Sequence, residues 1–253
     1  SSNSFSVIFD DSARKYYKPR SEEVYINQVA SKFGVVSNSS LFEATEIRSA
    51  LPMAIWHHEA PLTGPSTSLY YLLAKKMKKH VAVTITGEGA DDIFNGYYDG
   101  WNYNNGLDSL FKYFVPYRYI RDLFAIEEEN DPLRKIRDSL SLLDDKEMSQ
   151  VQKTSFLTIK RSLHALLARH DRMFMAHGIE GRPPFAAKNV IETRFSLTDD
   201  LIHNNGYGKY VIKNFAEKYF AKEFVYRPKI GFSCPYGDWL SDDEYWKGYW
   251  KYL

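Results

Sequence analysis

Glu88, Asp91 and Asp92 lie within the six-residue run Gly87-Glu-Gly-Ala-Asp-Asp92, interleaved with two glycines. Carboxylates this close repel one another unless a cation or a proton sits among them. Gly87 and Gly89 carry no side chain that would hold a ligand away from the backbone. Oxygen donors beside an open backbone suit magnesium, which favours carboxylates together with phosphate oxygens. A plainer reading leaves Asp91 and Asp92 as favourable charges at the start of the next helix, worth about 0.3–1 kcal/mol each. Asp92 is in either case the expected cap of the helix that follows. His57 and His58 are adjacent on a predicted helix and point different ways. With no cysteine or third histidine at ligand spacing, they do not suggest zinc.

The elements around this loop determine where it sits. Val81-Ala-Val-Thr-Ile-Thr86 reads as a strand buried on both faces, the pattern of parallel sheets covered by helices. Its carboxyl end is where open α/β sheets hold their ligands. Phe5–Phe9 reads as a further strand, and residues 22–33 as a helix stopped by Gly34. Residues 41–58 read as a helix interrupted near Pro52, and residues 68–79 as another. Strand–helix–helix–strand order predicts right-handed crossovers and a parallel sheet. Beyond Gly106, residues 110–126, 132–143, 146–175, 189–195 and 209–221 all read as helices, and with no Pro/Gly/Ser linker between the halves one compact unit is expected. Met173 and Met175 are expected in the core, with Asp171, Arg172, Glu180 and Arg182 forming a buried ion-pair network. Two clear strands are too few for a free-standing sheet. A further strand, from upstream sequence or a companion chain, is therefore expected.

Lys209 follows Gly206-Tyr-Gly208 and is placed in the first turn of a predicted helix. A cation there opposes the helix dipole unless an anion is bound at the same end. Arg227 and Lys229 flank Pro228 in a loop that ends at Gly231.

The chain has 253 residues, 44% hydrophobic and 26% charged, the balance of a globular protein. A net charge of +1 leaves no basic footprint for nucleic acid. Cys234 is the single cysteine, so no disulfide closes within the chain and a reducing cytoplasm is the expected compartment. No apolar run approaches the ~18 residues of a membrane span.

Four blocks, in order, carry a family resemblance: Phe5-Ser-Val-Ile-Phe-Asp10; Thr86-Gly-Glu-Gly-Ala-Asp-Asp-Ile-Phe-Asn-Gly-Tyr97; Asp171-Arg-Met-Phe-Met-Ala-His-Gly-Ile-Glu-Gly-Arg-Pro-Pro-Phe185; and Arg227-Pro-Lys-Ile-Gly-Phe232. Together they resemble the C-terminal synthetase domain of glutamine-dependent asparagine synthetases, relatives of β-lactam synthetases and lasso-peptide cyclases. The resemblance implies an α/β fold: a doubly wound parallel sheet of the ATP-pyrophosphatase type, here incomplete at its N-terminus, with a largely helical C-terminal half. It implies ATP and Mg2+, attack of a substrate carboxylate on the α-phosphate, and capture of the acyl-adenylate by ammonia drawn from glutamine. Aspartate is the expected acid and asparagine the product. A peptide, β-amino acid or sugar acid is the alternative substrate, and a non-catalytic subunit completing a partner's fold is the alternative from another class.

By the same resemblance Glu88 is the general base toward the incoming amine, a role open to a positioned carboxylate. Lys209 holds the phosphates during adenylation, and Asp91 binds magnesium. Val7, Thr86, Gly87 and Lys229 contact the nucleotide, while Thr63 and Ser66 lie in the loop receiving the acceptor acid. Hydroxyls in such a loop also commonly cap the next helix. The family's Ser-Gly-Gly-x-Asp-Ser phosphate loop and N-terminal catalytic cysteine have no counterpart here. Residues 1–253 therefore read as a synthetase domain without its glutaminase domain or phosphate-loop strand, those parts being expected upstream or on a companion chain. A homodimer is left open. Asn95 stands where relatives often have glycine, and Ala186-Ala187 where they often have Leu-Asp.

Overall fold

Phe5 and Val7 alternate with Ser4 and Ser6, and this two-residue period forms strand β1, Asn3–Ile8. The computed structural model describes residues 2–8, 22–60, 66–97, 147–228 and 231–232. The helices expected at 110–126 and 132–143, and the candidate residues Thr63 and Lys229, lie outside them. The chain divides into two compact units. The first comprises Ser1–Thr86, Ala165–Arg182 and Arg227–Leu253; the second comprises Gly87–His164 and Pro183–Tyr226.

In the first unit, helix α1, Glu22–Phe33, has Glu22 and Glu23 in its first turn and Lys32 in its last, complementing its dipole. Gly34 ends it at φ +64°, a conformation glycine adopts without strain. Strand β2, Val36–Leu41, follows and pairs parallel with β1, from Asn3 opposite Val36 to Ile8 opposite Leu41. This strand was not anticipated, because Ser37-Asn-Ser-Ser40 shows no alternation of apolar residues. Pairing with β1 and the bond from Asn38 Nδ2 to the Ser4 carbonyl (3.3 Å) place it. Helix α2, Ala44–His58, runs through Pro52 where an interruption was expected. Its Ile47, Ala50, Ala54 and His58 recur at helical spacing and are buried.

Helix α3, Thr67–Met77, packs against α2 and β1. Tyr70, Leu73, Ala74 and Met77 join Ala54, Met173, Phe174 and Ile179 in one core cluster, on which Phe5, Val7 and Val81 rest. Strand β3, Val83–Ile85, pairs parallel with β4, Glu180–Arg182. Among the described residues the strands thus form two small parallel sheets, β1–β2 and β3–β4. The expectation of a strand buried on both faces fails: Val83 is 42% and Ile85 75% exposed, since β3 meets one strand and no covering layer among these residues.

The expected continuous helix over 146–175 is divided. Helix α5, Gln150–Thr158, widens into a π-helical turn over Ile159–Leu163 before α6, His164–Met175. Ser149 starts α5 with a capping box, its hydroxyl accepting from Gln152 N–H while Gln152 Oε1 accepts from Ser149 N–H, each at 3.1 Å. On α6, Met173 is buried as expected, but Met175 is 53% exposed because it falls on the opposite face. The proposed buried charge network is absent as such. Glu180 and Arg182 pair with each other on the open side of β4 (2.9 Å), and Arg172 reaches Glu59 (3.8 Å) and the His58 carbonyl.

The remaining elements belong to the second unit. They are α4 (Ala90–Ile93), a 3-10 turn (Pro184–Ala186), α7 (Lys188–Ser196), α8 (Asp199–Ile202), α9 (Tyr210–Ala216) and α10 (Lys222–Val225). Ile93, Phe94, Val151, Leu163, Ile202 and Val225 are buried here beside Asp92, Asn95, Ser155 and Arg194. Charged groups are almost never fully buried without partners, so this mixture marks the unit as more than a packing core.

Gly181 lets the first unit close. A Cβ there would sit inside van der Waals contact of the His170 ring and 2.9 Å from Phe174 Cδ2. Burial pushes the His170 imidazole down to about 4, so it packs as a neutral ring against Tyr70 and Phe174. Gly181→Ala is expected to destabilise the protein by about 1–3 kcal/mol through overpacking. Thermal unfolding checks this, and an unchanged midpoint would contradict the described packing.

Candidate active site

Strand β3 ends at Ile85, and Thr86 N–H donates to the Arg182 carbonyl at 3.0 Å, closing the β3–β4 ladder of the first unit. The second unit begins with the acidic loop. Gly89 stands at φ +87°, where a side chain would be strained and would meet Leu163 and Ile93. Nothing lies within 4 Å of the place a Gly87 side chain would take, so the backbone there is open. The helix α4 that follows is a single turn, with Ile93 N–H on the Gly89 carbonyl (2.9 Å). A second turn then brings Gly96 N–H onto the Asp91 carbonyl (2.9 Å) through Asn95 at φ +57°.

Lys209 is brought to this turn from far along the chain. It is the N-cap residue of α9 at φ +54°, not a first-turn residue as expected, and the helix ends at Ala216. Its N–H donates to the Phe94 carbonyl at 2.7 Å, and its Nζ lies 2.8 Å from Asp91 Oδ1. Both side chains are 24% exposed, so the pair is only partly screened by water. Two glycines make room for it. A Cβ on Gly96 would overlap the Asp91 carboxylate and lie 2.7 Å from Lys209 Cε, and one on Gly208 would enter the Asn95 carbonyl group. The expected metal ligand and the expected phosphate lysine are thus neighbours, with Glu88 three residues from Asp91 on the same loop.

Asp92 corrects the capping assignment. Gly89 is the N-cap of α4, and Asp92 turns inward, 1% exposed, taking a hydrogen bond from the Tyr97 hydroxyl at 3.3 Å. Its second oxygen, Oδ1, has no hydrogen-bond partner among the described residues. Burial first, then the charges of Asp91 and Glu88, push this carboxyl up from the usual 3.8 to about 6. The Tyr97 phenol is raised as well, by burial and by Asp92 beside it.

Glu88 and Asp91 offer only hard oxygen donors, and Gly87 leaves space beside them. No group of three or more His, Cys, Asp or Glu side chains suited to a metal occurs among the described residues. A divalent ion here would accordingly draw most of its ligands from water and phosphate, the habit of Mg2+ rather than of Zn2+. The residues present fit that ion.

Val7 is half-buried on β1 and supports the first unit's core, and Thr86 belongs to that unit too. Ser66, 4% exposed, is the N-cap residue of α3 but its side chain makes no capping bond; its hydroxyl accepts from Arg169 Nη1 at 2.7 Å, and that guanidinium lies 4.8 Å from the Tyr70 ring centroid. Arg227 pairs with Glu22 (3.5 Å) and stacks over Tyr25. Arg194, Ser155 and Asn95, which form the floor beneath the loop, went unnoticed as structural partners. The available signal was Arg194 on the Val190–Ile191 face of a predicted helix, a charge on an apolar stripe.

Asp92 gives the site a pH signature. The folded chain holds its proton up to about pH 6, whereas the unfolded chain releases it near 3.8. Below the unfolded value the carboxyl is neutral in both states and costs nothing. Between about pH 4 and 6 the unfolded chain releases this proton while the folded chain keeps it, so stability falls, and above pH 6 the full cost is on the order of 3 kcal/mol. Asp92→Asn should therefore match the parent in thermal stability at pH 4 and gain on it progressively up to about pH 7. An equal difference at every pH would overturn the assignment.

Comparison with known proteins places these features. The chain is 26% identical over 263 aligned residues to asparagine synthetase [glutamine-hydrolyzing] 1 of Bacillus subtilis (strain 168), covering 88% of this chain and 42% of that protein. It is 22% identical to a putative asparagine synthetase [glutamine-hydrolyzing] of Mycobacterium tuberculosis, over 85% of this chain and 39% of that one. With asparagine synthetase B [glutamine-hydrolyzing] of Escherichia coli (strain K12) the identity is 23%, over 84% and 32%. The chain thus spans about two fifths or less of the length of these relatives. Among its described residues, no helix is long and apolar enough to cross a membrane. The family model for asparagine synthase matches residues 1–248, and the chain belongs to the asparagine synthase family.

Proposed function

We propose that this chain is the adenylating portion of an ATP-dependent amide-forming ligase that converts aspartate to asparagine. The observation that carries the reading is the approach of Lys209 to Asp91 at 2.8 Å, beside Glu88. With Glu88, that pair gives one cation and two carboxylates next to a backbone that Gly87 leaves open, as a triphosphate and its metal require. Bound Mg2+ would neutralise charge on the phosphates and be held by Asp91. Lys209 then turns to the phosphate oxygens, where negative charge grows as the acid carboxylate attacks the α-phosphate and pyrophosphate leaves. Glu88 accepts a proton from the amine nitrogen as ammonia displaces AMP from the acyl-adenylate, and the amide forms.

The names of the relatives supply the ammonia source, glutamine, which would reach this chain from a glutaminase portion of a longer polypeptide or a companion chain. We also propose that a further strand carrying the phosphate loop joins β1–β2 and β3–β4 into one doubly wound sheet. The open side chains of Val83 and Ile85 support this, because a parallel strand is ordinarily covered on both faces.

Two half-reactions separate the roles. In the full-length protein, Glu88→Gln should retain aspartate-dependent ATP–pyrophosphate exchange yet lose amide formation by at least about 100-fold. Lys209→Met should depress the exchange itself by about 100- to 1,000-fold. Amide formation surviving in Glu88→Gln would remove the base assignment. Exchange driven by another acid and not by aspartate would change the substrate.

A further inference from the structure

We propose that a closed hydrogen-bonded ring of Arg194, Ser155, Asn95 and the Val151 carbonyl positions Lys209 against Asp91. Arg194 and Asn95 are then positioning residues for the reaction proposed above, and the inference rests on that reading.

Arg194 on α7 is fully buried. Its Nε donates to the Ile93 carbonyl at 3.0 Å, gripping the last residue of the helix that bears Asp91. Its Nη2 donates to Ser155 Oγ (2.6 Å) and to the Val151 carbonyl (3.3 Å). The Ser155 hydroxyl donates onward to Asn95 Oδ1, and Asn95 Nδ2 returns to the Val151 carbonyl at 3.2 Å. Ser155 and Asn95 are both fully buried. The Ser155 hydroxyl also lies 3.3 Å from the Val151 carbonyl, so that carbonyl is the point on which Asn95, Arg194 and Ser155 converge. The rigid guanidinium fork reaches three acceptors at once, which a lysine cannot do.

The same turn carries Lys209 on its other side. The Phe94 carbonyl takes the Lys209 N–H, and the Asn95 carbonyl packs on Gly208 so closely that no side chain could intervene. Asn95 holds a positive φ that a non-glycine residue adopts at some cost, and asparagine tolerates it better than most. Its side-chain bonds offset that cost and remove the freedom glycine would have. The turn meets Lys209 and Gly208 through the Phe94 and Asn95 carbonyls, so the ring acts on the lysine through the backbone. A shift of about 1 Å at a charge-bearing group is enough to cost on the order of 100-fold in rate.

The test uses the full-length protein. Asn95→Gly deletes the side-chain bonds and keeps a residue at ease with positive φ; Arg194→Lys keeps the charge and loses the fork. Each is measured for aspartate-dependent ATP–pyrophosphate exchange and for amide hydrogen exchange across Gly206–Tyr210, alone and in a Lys209→Ala background. Asn95→Gly is expected to lower kcat about 10- to 100-fold, to leave KM for ATP nearly unchanged, and to speed hydrogen exchange across Gly206–Tyr210. Once Lys209 is alanine, the same substitution should cost no further rate, since its effect passes through that lysine. Arg194→Lys should fall between parent and Asn95→Gly. Unchanged kcat and protection in Asn95→Gly, or an equal loss in the Lys209→Ala background, would overturn the inference. If Lys209→Ala itself leaves pyrophosphate exchange intact, the active-site reading fails instead, and hydrogen exchange still decides whether the ring holds the turn.

Discussion

Three carboxylates crowded into one short loop create a repulsion that the rest of the second unit is arranged to absorb. Lys209 sits against Asp91 at 2.8 Å, and Asp92 withdraws inward, where burial favours its neutral form. Neither arrangement is locally comfortable. Lys209 takes a left-handed backbone conformation at the N-cap of α9, where helix dipole and cation oppose one another. Gly96 and Gly208 are needed only because the two chain segments come so near. Unfavourable local choices that converge on one charge pair point to a site whose task outranks its stability.

Charge is treated differently at the surface. Glu180 and Arg182 pair at 2.9 Å but both stand in solvent, where such a pair contributes little. Arg194 is wholly buried, and it bonds to two carbonyls and a hydroxyl. A buried cation is costly unless many acceptors surround it. It persists where the fold gains definition from a fork of fixed geometry, and here that fork ends on the turn beneath Asp91.

Much of the first unit was legible from local pattern. Helix α1 with its Gly34 stop, the strand at Phe5, and α3 all follow from periodicity and end signals that involve only neighbours in sequence. Strand β2 was not legible, because serine and asparagine fill its centre and only pairing with β1 makes it a strand. The π-helical turn at Ile159–Leu163 was hidden for a related reason: the helical period continues through it, and only the packing decides where the spacing widens. Met175 and the exposed side of β3 show the limit of reading burial from composition, since an apolar residue states a preference and not an address.

The sequence by itself determined which groups are present and to which family the chain belongs: oxygen donors at tight spacing, interleaved glycines, and blocks that mark the asparagine synthase family. These are properties of residue type and short-range order, which survive without knowledge of the fold. Tertiary structure alone decided that Lys209 meets Asp91, that Asp92 faces inward, and that Arg194 lies below them. Those outcomes depend on which distant segments share one buried volume, and no periodicity along a chain encodes the distance between two charges far apart in it.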